Sequence, residues 1–272
     1  MAKHPVSLVI IALNEEAKIA RCIESASWVD EVILVDSGST DRTCEIAKNL
    51  GANVVVEKWR GFQQQKSFAC AIARNDWIIS LDADEALSPE LSRTLENLCS
   101  DNAKVPEFSF EKNDGIEFSR ISFNLGRWIH HGGWYPDWQL RFFHRKTALW
   151  VAQNVHEHVQ AKNSVRLEQS IWHWPFDDLS EQVSTNNRYS SLGAKDLFDR
   201  SKKFSLVKLI LKPISKFLET YAVKRGFQDG MAGFIIAVGA AYSVFLKFAK
   251  LWEAQKLWEA QKLPKSNAEP PK

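Results

Sequence analysis

Trp77-Ile78-Ile79-Ser80-Leu81-Asp82-Ala83-Asp84-Glu85 is an apolar strand that runs straight into two carboxylates one residue apart. In an extended backbone, residues i and i+2 point to the same side. Asp82 and Asp84 are therefore expected to converge at the strand's C-terminal end. Two hard oxygen donors there suit Mg²⁺ or Mn²⁺, above all an ion already half-coordinated by a diphosphate. Open α/β sheets bind ligands outside the carboxyl ends of their strands. The competing reading is a strand followed by an acidic turn, with Asp84 or Glu85 capping a helix. D-x-D triplets are common, so the flanking sequence has to decide.

Upstream, Ser7–Leu13 is a near-continuous apolar run, the mark of a strand buried on both faces. Asn14-Glu15-Glu16 ends it and opens a helix over Ala17–Ser25, with Ile19 and Ile23 at helical spacing. Glu31–Asp36 reads as a second buried strand. Ser37-Gly38-Ser39-Thr40-Asp41 is a turn and cap signal for a helix over Arg42–Leu50, with Gly51 as its C′ residue. Ala52–Glu57 is a third strand, Ser67–Arg74 a helix, Asp76–Leu81 the fourth strand, and Pro89–Cys99 a helix capped by Ser88. A β-α-β-α-β-α-β order implies a parallel, doubly wound, Rossmann-like sheet flanked by helices. Three acidic groups then share one rim of that sheet: Asn14-Glu15-Glu16, Asp36 and Asp82-x-Asp84.

From about residue 104 the pattern changes. Val105–Phe110, Gly115–Phe123, Gln139–His144, Leu149–Ala152 and Val165–His173 read as shorter strands. Residues 124–138 form a loop rich in Gly, Trp and His, and long ordered loops tend to be functional. Leu179–Arg200 reads as a helix. The organisation expected is 1–103 as a nucleotide-sugar half, 104–200 as an acceptor half, 201–263 as a helical tail and 264–272 as a disordered end.

The net charge of +2 conceals an asymmetry: residues 200–272 hold 14 Lys/Arg against 5 Asp/Glu. An acidic body with a basic tail suggests an anionic partner for the tail. Phe204–Val223 is apolar with Lys208, Lys212 and Lys216 on one face, and Pro213 is expected to kink or divide it. Met231–Leu246 carries no charge; at sixteen residues it is short of the roughly 20 that a full span needs. The pair reads as a surface-lying or re-entrant membrane attachment over 201–250, or else as a hairpin packed on the body or a second subunit. The basic residues are interleaved with long aliphatic runs, which argues against nucleic acid. Leu251–Lys256 and Leu257–Lys262 repeat Leu-Trp-Glu-Ala-Gln-Lys, a local duplication extending a terminal helix. The four cysteines show no C-x-x-C and read as reduced packing residues in a cytosolic setting. Val6–Leu13 is too short for a signal peptide, so export of the body is not expected.

Ile11-Ala12-Leu13-Asn14-Glu15-Glu16, Val35–Asp41 and Ser80–Glu85 together resemble the family 2 glycosyltransferases of GT-A fold. Asn154-Val155-His156-Glu157-His158 and the tail around Lys224–Gly230 and Lys247–Glu253 resemble the bacterial lipopolysaccharide inner-core β-1,4-glucosyltransferase subgroup. The resemblance implies an inverting transfer of glucose from UDP-glucose to a lipid A-core heptose, by a cytoplasmic enzyme peripheral on the inner face of the inner membrane. Ala12, Asn14, Glu16, Asp36, Lys66 and Asp82 would frame the nucleotide sugar, and Asp84, with Asp82, would hold Mg²⁺ or Mn²⁺. Glu16 reads equally as a first-turn helix carboxylate, Asp41 as a cap, and Lys66 equally as a solvated lysine at a helix start.

Inverting transfer needs a base for the acceptor hydroxyl. Glu157 is preferred; Asp137, after Pro136, is the alternative and reads more readily as a turn former. His156 is a second possible metal or diphosphate contact. Trp134, Tyr135 and Trp138 are expected to stack on sugar rings, with Trp134, Trp138 and Arg141 binding the acceptor; of Arg141 and Arg145 one is expected to face phosphate and the other solvent. Two other readings stand beside this one: transfer to a polyprenyl phosphate or other glycolipid, and a non-catalytic nucleotide-sugar-binding protein of the membrane surface.

Overall fold

The computed structural model describes residues 4–102, 105–153 and 156–262. Two compact units are present. One comprises the chain up to Phe123 together with Tyr135–Pro175, and the other comprises Asn124–Trp134 and the chain from Phe176 onward.

The first unit is built on β1 (Val6–Ala12), α1 (Ile19–Glu24), β2 (Glu31–Asp36), α2 (Thr43–Asn49), β3 (Asn53–Val56), α3 (Phe62–Ile72), β4 (Trp77–Asp82), β5 (Glu85–Leu87) and α4 (Pro89–Cys99). β6 (Gly115–Asn124) follows; β7 (Arg127–Ile129) belongs to the second unit; β8 (Asp137–His144), β9 (Leu149–Gln153), β10 (His156–Gln160) and β11 (Ser164–His173) complete the first. The sheet order is β3-β2-β1-β4-β8-β6-β11-β5, and β9 and β10 form a separate antiparallel pair. The first four strands are parallel, as the alternating pattern implies. β8 then enters antiparallel between β4 and β6, so the sheet is mixed. Gly115 permits that insertion: a Cβ there would lie 2.5 Å from the Phe142 carbonyl oxygen.

β1 is buried throughout, and its side chains divide between two cores. Leu8, Ile10 and Ala12 pack with α1, α4, Phe118 and Phe142, while Val9 and Ile11 pack with Ala69, Cys70, Trp150 and Val159. Truncating Leu8 to Ala would cost about 2–5 kcal/mol, as for other fully buried leucines. Ser88 caps α4 by accepting from the Leu91 N–H, and Gly51 follows α2 at φ +84°.

Four expectations are corrected. α3 starts at Phe62, because the polar run Gln63–Lys66 is helical and its Gln65 and Lys66 are buried. Val105–Phe110 forms turns; Phe108 and Phe110 instead close an aromatic cluster around Trp77, with Phe142 stacked on its ring. Asp137 opens strand β8 and is not a turn residue. Glu85 is not a helix cap: it begins β5, which pairs with β11.

The second unit holds α5 (Leu179–Asp199), α6 (Leu206–Leu218) and α7 (Gly230–Lys262), with short π and 3₁₀ turns between α6 and α7. α6 runs through Pro213 undivided. The charge-free run and the hexapeptide repeat lie in one 33-residue helix, the repeat forming its C-terminal part. Residues Gly226–Trp258 have the length and composition of a membrane-crossing helix. Asp229, almost fully buried, fixes the start of α7 by accepting from the His131 N–H at 2.7 Å and pairing with Arg127 at 3.6 Å. Lys250 reaches α5, donating to Asn187 O, Asn187 Oδ1, Ser190 Oγ and Ser191 Oγ at 2.6–2.8 Å.

Candidate active site

The rim of β1 and β2 is a tied pair of loops. Ala12 ends β1 beside Asp36, and its carbonyl accepts from the Ser37 N–H. Asn14, at φ +57°, accepts from the Thr40 N–H on Oδ1, and its own N–H donates to Ser39 Oγ. Glu16 and Asp41 trade backbone donors: Arg42 N–H to Glu16 Oε2 at 2.9 Å and Glu16 N–H to Asp41 Oδ2 at 3.1 Å. Asp41 also accepts from the Thr43 N–H at the start of α2. Asp36 is buried and accepts from the N–H groups of Gly38 and Ser39 and from Ser39 Oγ. These carboxylates therefore shape the loops that border the strand ends.

The end of β4 carries a dense charge network. Lys66 is buried on α3, with Nζ 2.7 Å from Asp82 Oδ1, 3.6 Å from Glu157 Oε1 and 4.7 Å from the Trp150 ring centroid. It is not a solvated helix-start lysine. Arg141 Nη2 lies 2.8 Å from both Asp82 Oδ2 and the fully buried Glu85 Oε1. Arg120 Nη1 lies 2.8 Å from the same Glu85 oxygen, and its Nε and Nη2 grip Asp137 Oδ2 at 2.9 and 2.6 Å. Gln139 occupies Asp137 Oδ1. Burial pushes the Asp82 carboxyl upward in pKa, but the cations of Lys66 and Arg141 outweigh it and hold the group well below the usual carboxylate range. Burial disfavours the Arg141 cation, yet Glu85 and Asp82 raise its pKa further. Arg141 Nε and Nη1 are buried with no hydrogen-bond partner among the described residues.

Asp84 takes a different direction. Its Oδ2 lies 3.4 Å from His173 Nε2, at the end of β11, and its carbonyl accepts from the Trp174 N–H. The other imidazole nitrogen, Nδ1, is 2.9 Å from Ser122 Oγ. Cis ligands of a small octahedral ion with bonds near 2.1 Å are separated by about 3 Å. A carboxylate oxygen and an imidazole nitrogen 3.4 Å apart, with the ring held from behind, thus fit a divalent ion with little adjustment. Asp82 has both oxygens engaged by Lys66 and Arg141, so the two D-x-D carboxylates face different partners.

Glu157 lies on β10, paired across to Ala152. The His156 side chain and Asn154-Val155 lie outside the described residues. Trp138 on β8 packs under Arg166, 4.9 Å from its ring centroid. Trp134 belongs to the second unit, where it packs on Ile129, Ala232 and Ile236 and meets the Phe176 ring. Arg145 is directed to Asp76 and the end of α3.

Sequence reasoning missed His173, Arg120 and the role of Glu85. Signals existed. His173 ends a strand that reaches the same rim, and Arg120 sits mid-strand in a mostly buried β6.

The family model for glycosyl transferase family 2 matches residues 7–168. An uncharacterized glycosyltransferase of Rickettsia typhi is 34% identical over 264 residues, covering 91% of this chain and 87% of that protein. The lipopolysaccharide core biosynthesis glycosyltransferase LpsC of Rhizobium meliloti is 30% identical over 264 residues, covering 92% and 93%. Glucosyl-3-phosphoglycerate synthase from Mycobacterium tuberculosis, crystallised with Mn²⁺ and UDP-glucose, overlaps 44% of this chain and 43% of its own at 29% identity and a TM-score of 0.34, too slight an overlap to bear on donor or metal.

Proposed function

The chain belongs to glycosyl transferase family 2, and we propose that it is an inverting, divalent-metal-dependent enzyme that moves glucose from UDP-glucose onto a heptose of the lipopolysaccharide core. Its likeness to LpsC supports the core acceptor. The observation that carries the enzymatic reading is the Asp84–His173 pair at the strand ends, beside the anchored Lys66–Asp82–Arg141 network.

Asp84 Oδ2 and His173 Nε2 would hold Mg²⁺ or Mn²⁺, with Ser122 orienting the imidazole. When bound, such an ion supplies charge neutralisation for the departing diphosphate. Ala12, Asn14, Glu16 and Asp36 frame the nucleoside from the β1 and β2 loops, and Asp82, fixed by two cations, meets the ribose. Glu157 takes the proton of the acceptor hydroxyl as that oxygen attacks the anomeric carbon. The bond from that carbon to the diphosphate breaks, its electron pair leaves with the nucleoside diphosphate, and the configuration inverts. Lys66 positions Glu157, and Arg141, with two unpartnered donors, is suited to an anionic oxygen. Asp137 is the weaker candidate for the base, because Arg120 and Gln139 already occupy both of its oxygens. Trp138 offers its ring to the acceptor sugar. The basic, apolar segment 201–250 would hold the enzyme on the cytoplasmic face of the inner membrane, where its glycolipid acceptor lies.

The test is a panel of nucleotide sugars presented with Mg²⁺ or Mn²⁺ and heptose-terminated lipopolysaccharide. Metal-dependent release of UDP from UDP-glucose, lost in Asp84→Ala, and a glucosylated core are the expected results. Turnover with a different sugar or acceptor would overturn the finer assignment.

A further inference from the structure

The apolar side of α6 faces outward. Leu206, Val207, Ile210, Leu211, Ile214 and Leu218 are each 53–64% exposed, and no residue of α6 is buried. At about 100° per residue these six fall within one arc of about 140°. Leu209, Pro213 and Lys216, on another side, and Phe217, near the Leu206 edge of the arc, are the ones partly covered. On the same scale, counted from Leu206, Lys208, Lys212 and Lys216 lie at about 200°, 240° and 280°, on the side away from the apolar arc, with Lys208 nearest to it, about 60° past Leu211. Lys208 and Lys212 are exposed and form no ion pair among the described residues. A soluble amphipathic helix places its surfaces the other way round.

α7 carries a matching stripe. Met231, Phe234, Val238, Tyr242 and Phe245 recur at helical spacing and are all exposed. The two stripes meet at an aromatic junction: Phe234 packs against Phe217 and Tyr221, with ring centroids 5.9 and 5.7 Å apart. The opposite face of α7 is committed to polar neighbours. Gly239 has Asn186 and Gln182 of α5 against it, and Lys250 is bound by three α5 residues. α5 carries Arg188, Lys195, Asp196 and Asp199 along its length. A helix crossing a bilayer would draw this polar companion into hydrocarbon, where charged side chains are costly. The charge-free run Met231–Leu246 is also only about 24 Å long, against a core of about 30 Å.

We propose that α6 and α7 together form an in-plane membrane surface, immersed in one leaflet of an anionic bilayer, and that α7 does not cross it. This rests on the membrane attachment read in the preceding section and adds its orientation and its lipid preference. The apolar arc of α6 and the stripe of α7 enter the acyl boundary, the lysine row faces water within about a Debye length of the acidic headgroups and is drawn to them through that distance, and α5 stays in water.

The test uses the full chain in a Cys44→Ser background, carrying one of Ile210→Cys, Val238→Cys, Lys195→Cys or Trp258→Cys. Vesicles are neutral phosphatidylcholine, or the same lipid with phosphatidylglycerol. Environment-sensitive labels at 210 and 238 should shift to the blue and be quenched more by shallow than by deep spin-labelled lipid, while the label at 195 stays unchanged. A membrane-impermeant maleimide should react with the thiol of Trp258→Cys on every vesicle-bound molecule. Lys208→Gln with Lys212→Gln should weaken binding to anionic vesicles by about 10-fold or more and leave neutral vesicles unaffected. Protection of the thiol at position 258 would overturn the in-plane orientation while keeping the membrane attachment. Absence of binding to either vesicle would overturn both. Labels at 210 and 238 buried in lipid-free protein that sediments as a dimer would assign the surface to a second copy of the chain instead.

Discussion

Lys66 Nζ sits 2.7 Å from Asp82 Oδ1, deep enough that the lysine is nearly excluded from solvent. A lysine on the helix between β3 and β4 thus fixes the first carboxylate of the D-x-D, while the second is left to His173. The two acids of the motif therefore have different partners: Asp82 is held by two cations, and Asp84 faces an imidazole.

That division gives Asp82 a pH signature. Its folded pKa is depressed, so the unfolded chain takes up the proton first as pH falls, and stability declines. The contribution is full above the unfolded value of about 3.9 and is lost as pH drops towards the folded value. Asp82→Asn should be less stable than the parent by about 3 kcal/mol at pH 7, the scale of a broken buried pair. Urea unfolding at pH 7, 5 and 3 should show that gap narrowing at the acid end. A constant gap would mean that Lys66 and Arg141 do not stabilise the charged form.

Ser122→Ala leaves both proposed ligands in place and removes only the oxygen 2.9 Å from His173 Nδ1. Loss of such an outer partner typically lowers metal affinity about 10–100-fold. Calorimetric titration of Mn²⁺ in the presence of UDP should show that loss for Ser122→Ala and a larger one for Asp84→Asn. Equal affinities in all three proteins would remove His173 from the metal site.

Glu157→Gln should lower kcat by about 10²–10⁴-fold with UDP affinity unchanged, as expected when a general base is removed. Asp137→Asn should act mainly on stability, since it leaves Arg120 with Glu85 as its remaining partner in the network. If the kcat loss appears in Asp137→Asn instead, the roles are exchanged.

The thiols give a check on the fold. Burial pushes Cys70 and Cys99 up to about 12 and Cys22 well above its ordinary value. Cys44 is raised as well but is only partly buried. At pH 8 a thiol reagent should modify Cys44 slowly and spare the others until urea is added, as mass spectrometry of the labelled chain would report. Rapid labelling of Cys22 would contradict the packing behind the D-x-D loop.

Much of the first hundred residues was legible because buried parallel strands announce themselves as unbroken apolar runs. β1, β2 and β4 fall where the runs fall. The start of α3 was hidden because Gln65 and Lys66 are polar side chains used in the interior, against the usual pattern. β5 was invisible for another reason: three residues become a strand only through pairing with β11, far away in sequence. Of the residues singled out in the sequence, Lys66, Asp82 and Glu157 come together in the fold. What strand periodicity could not supply was partnership. Arg120 bridging Glu85 to Asp137, and His173 meeting Asp84, depend on β8 and β11 arriving beside β4 and β5.

The hexapeptide repeat in α7 has its own geometry. Six residues turn a helix by about 600°, which leaves the second copy about 240° out of phase with the first. The same letters therefore live in different surroundings: Leu251 is fully interior, whereas its counterpart Leu257 is 59% exposed. Gln255, in the first copy, ties the helix to Lys202 and Phe204. A duplication of this length would be ruinous in the middle of α7, because every contact beyond it would be rotated off its partner. Placed after Lys250 and Leu251 have already locked the angular setting of the helix, it adds length without disturbing the alignment upstream.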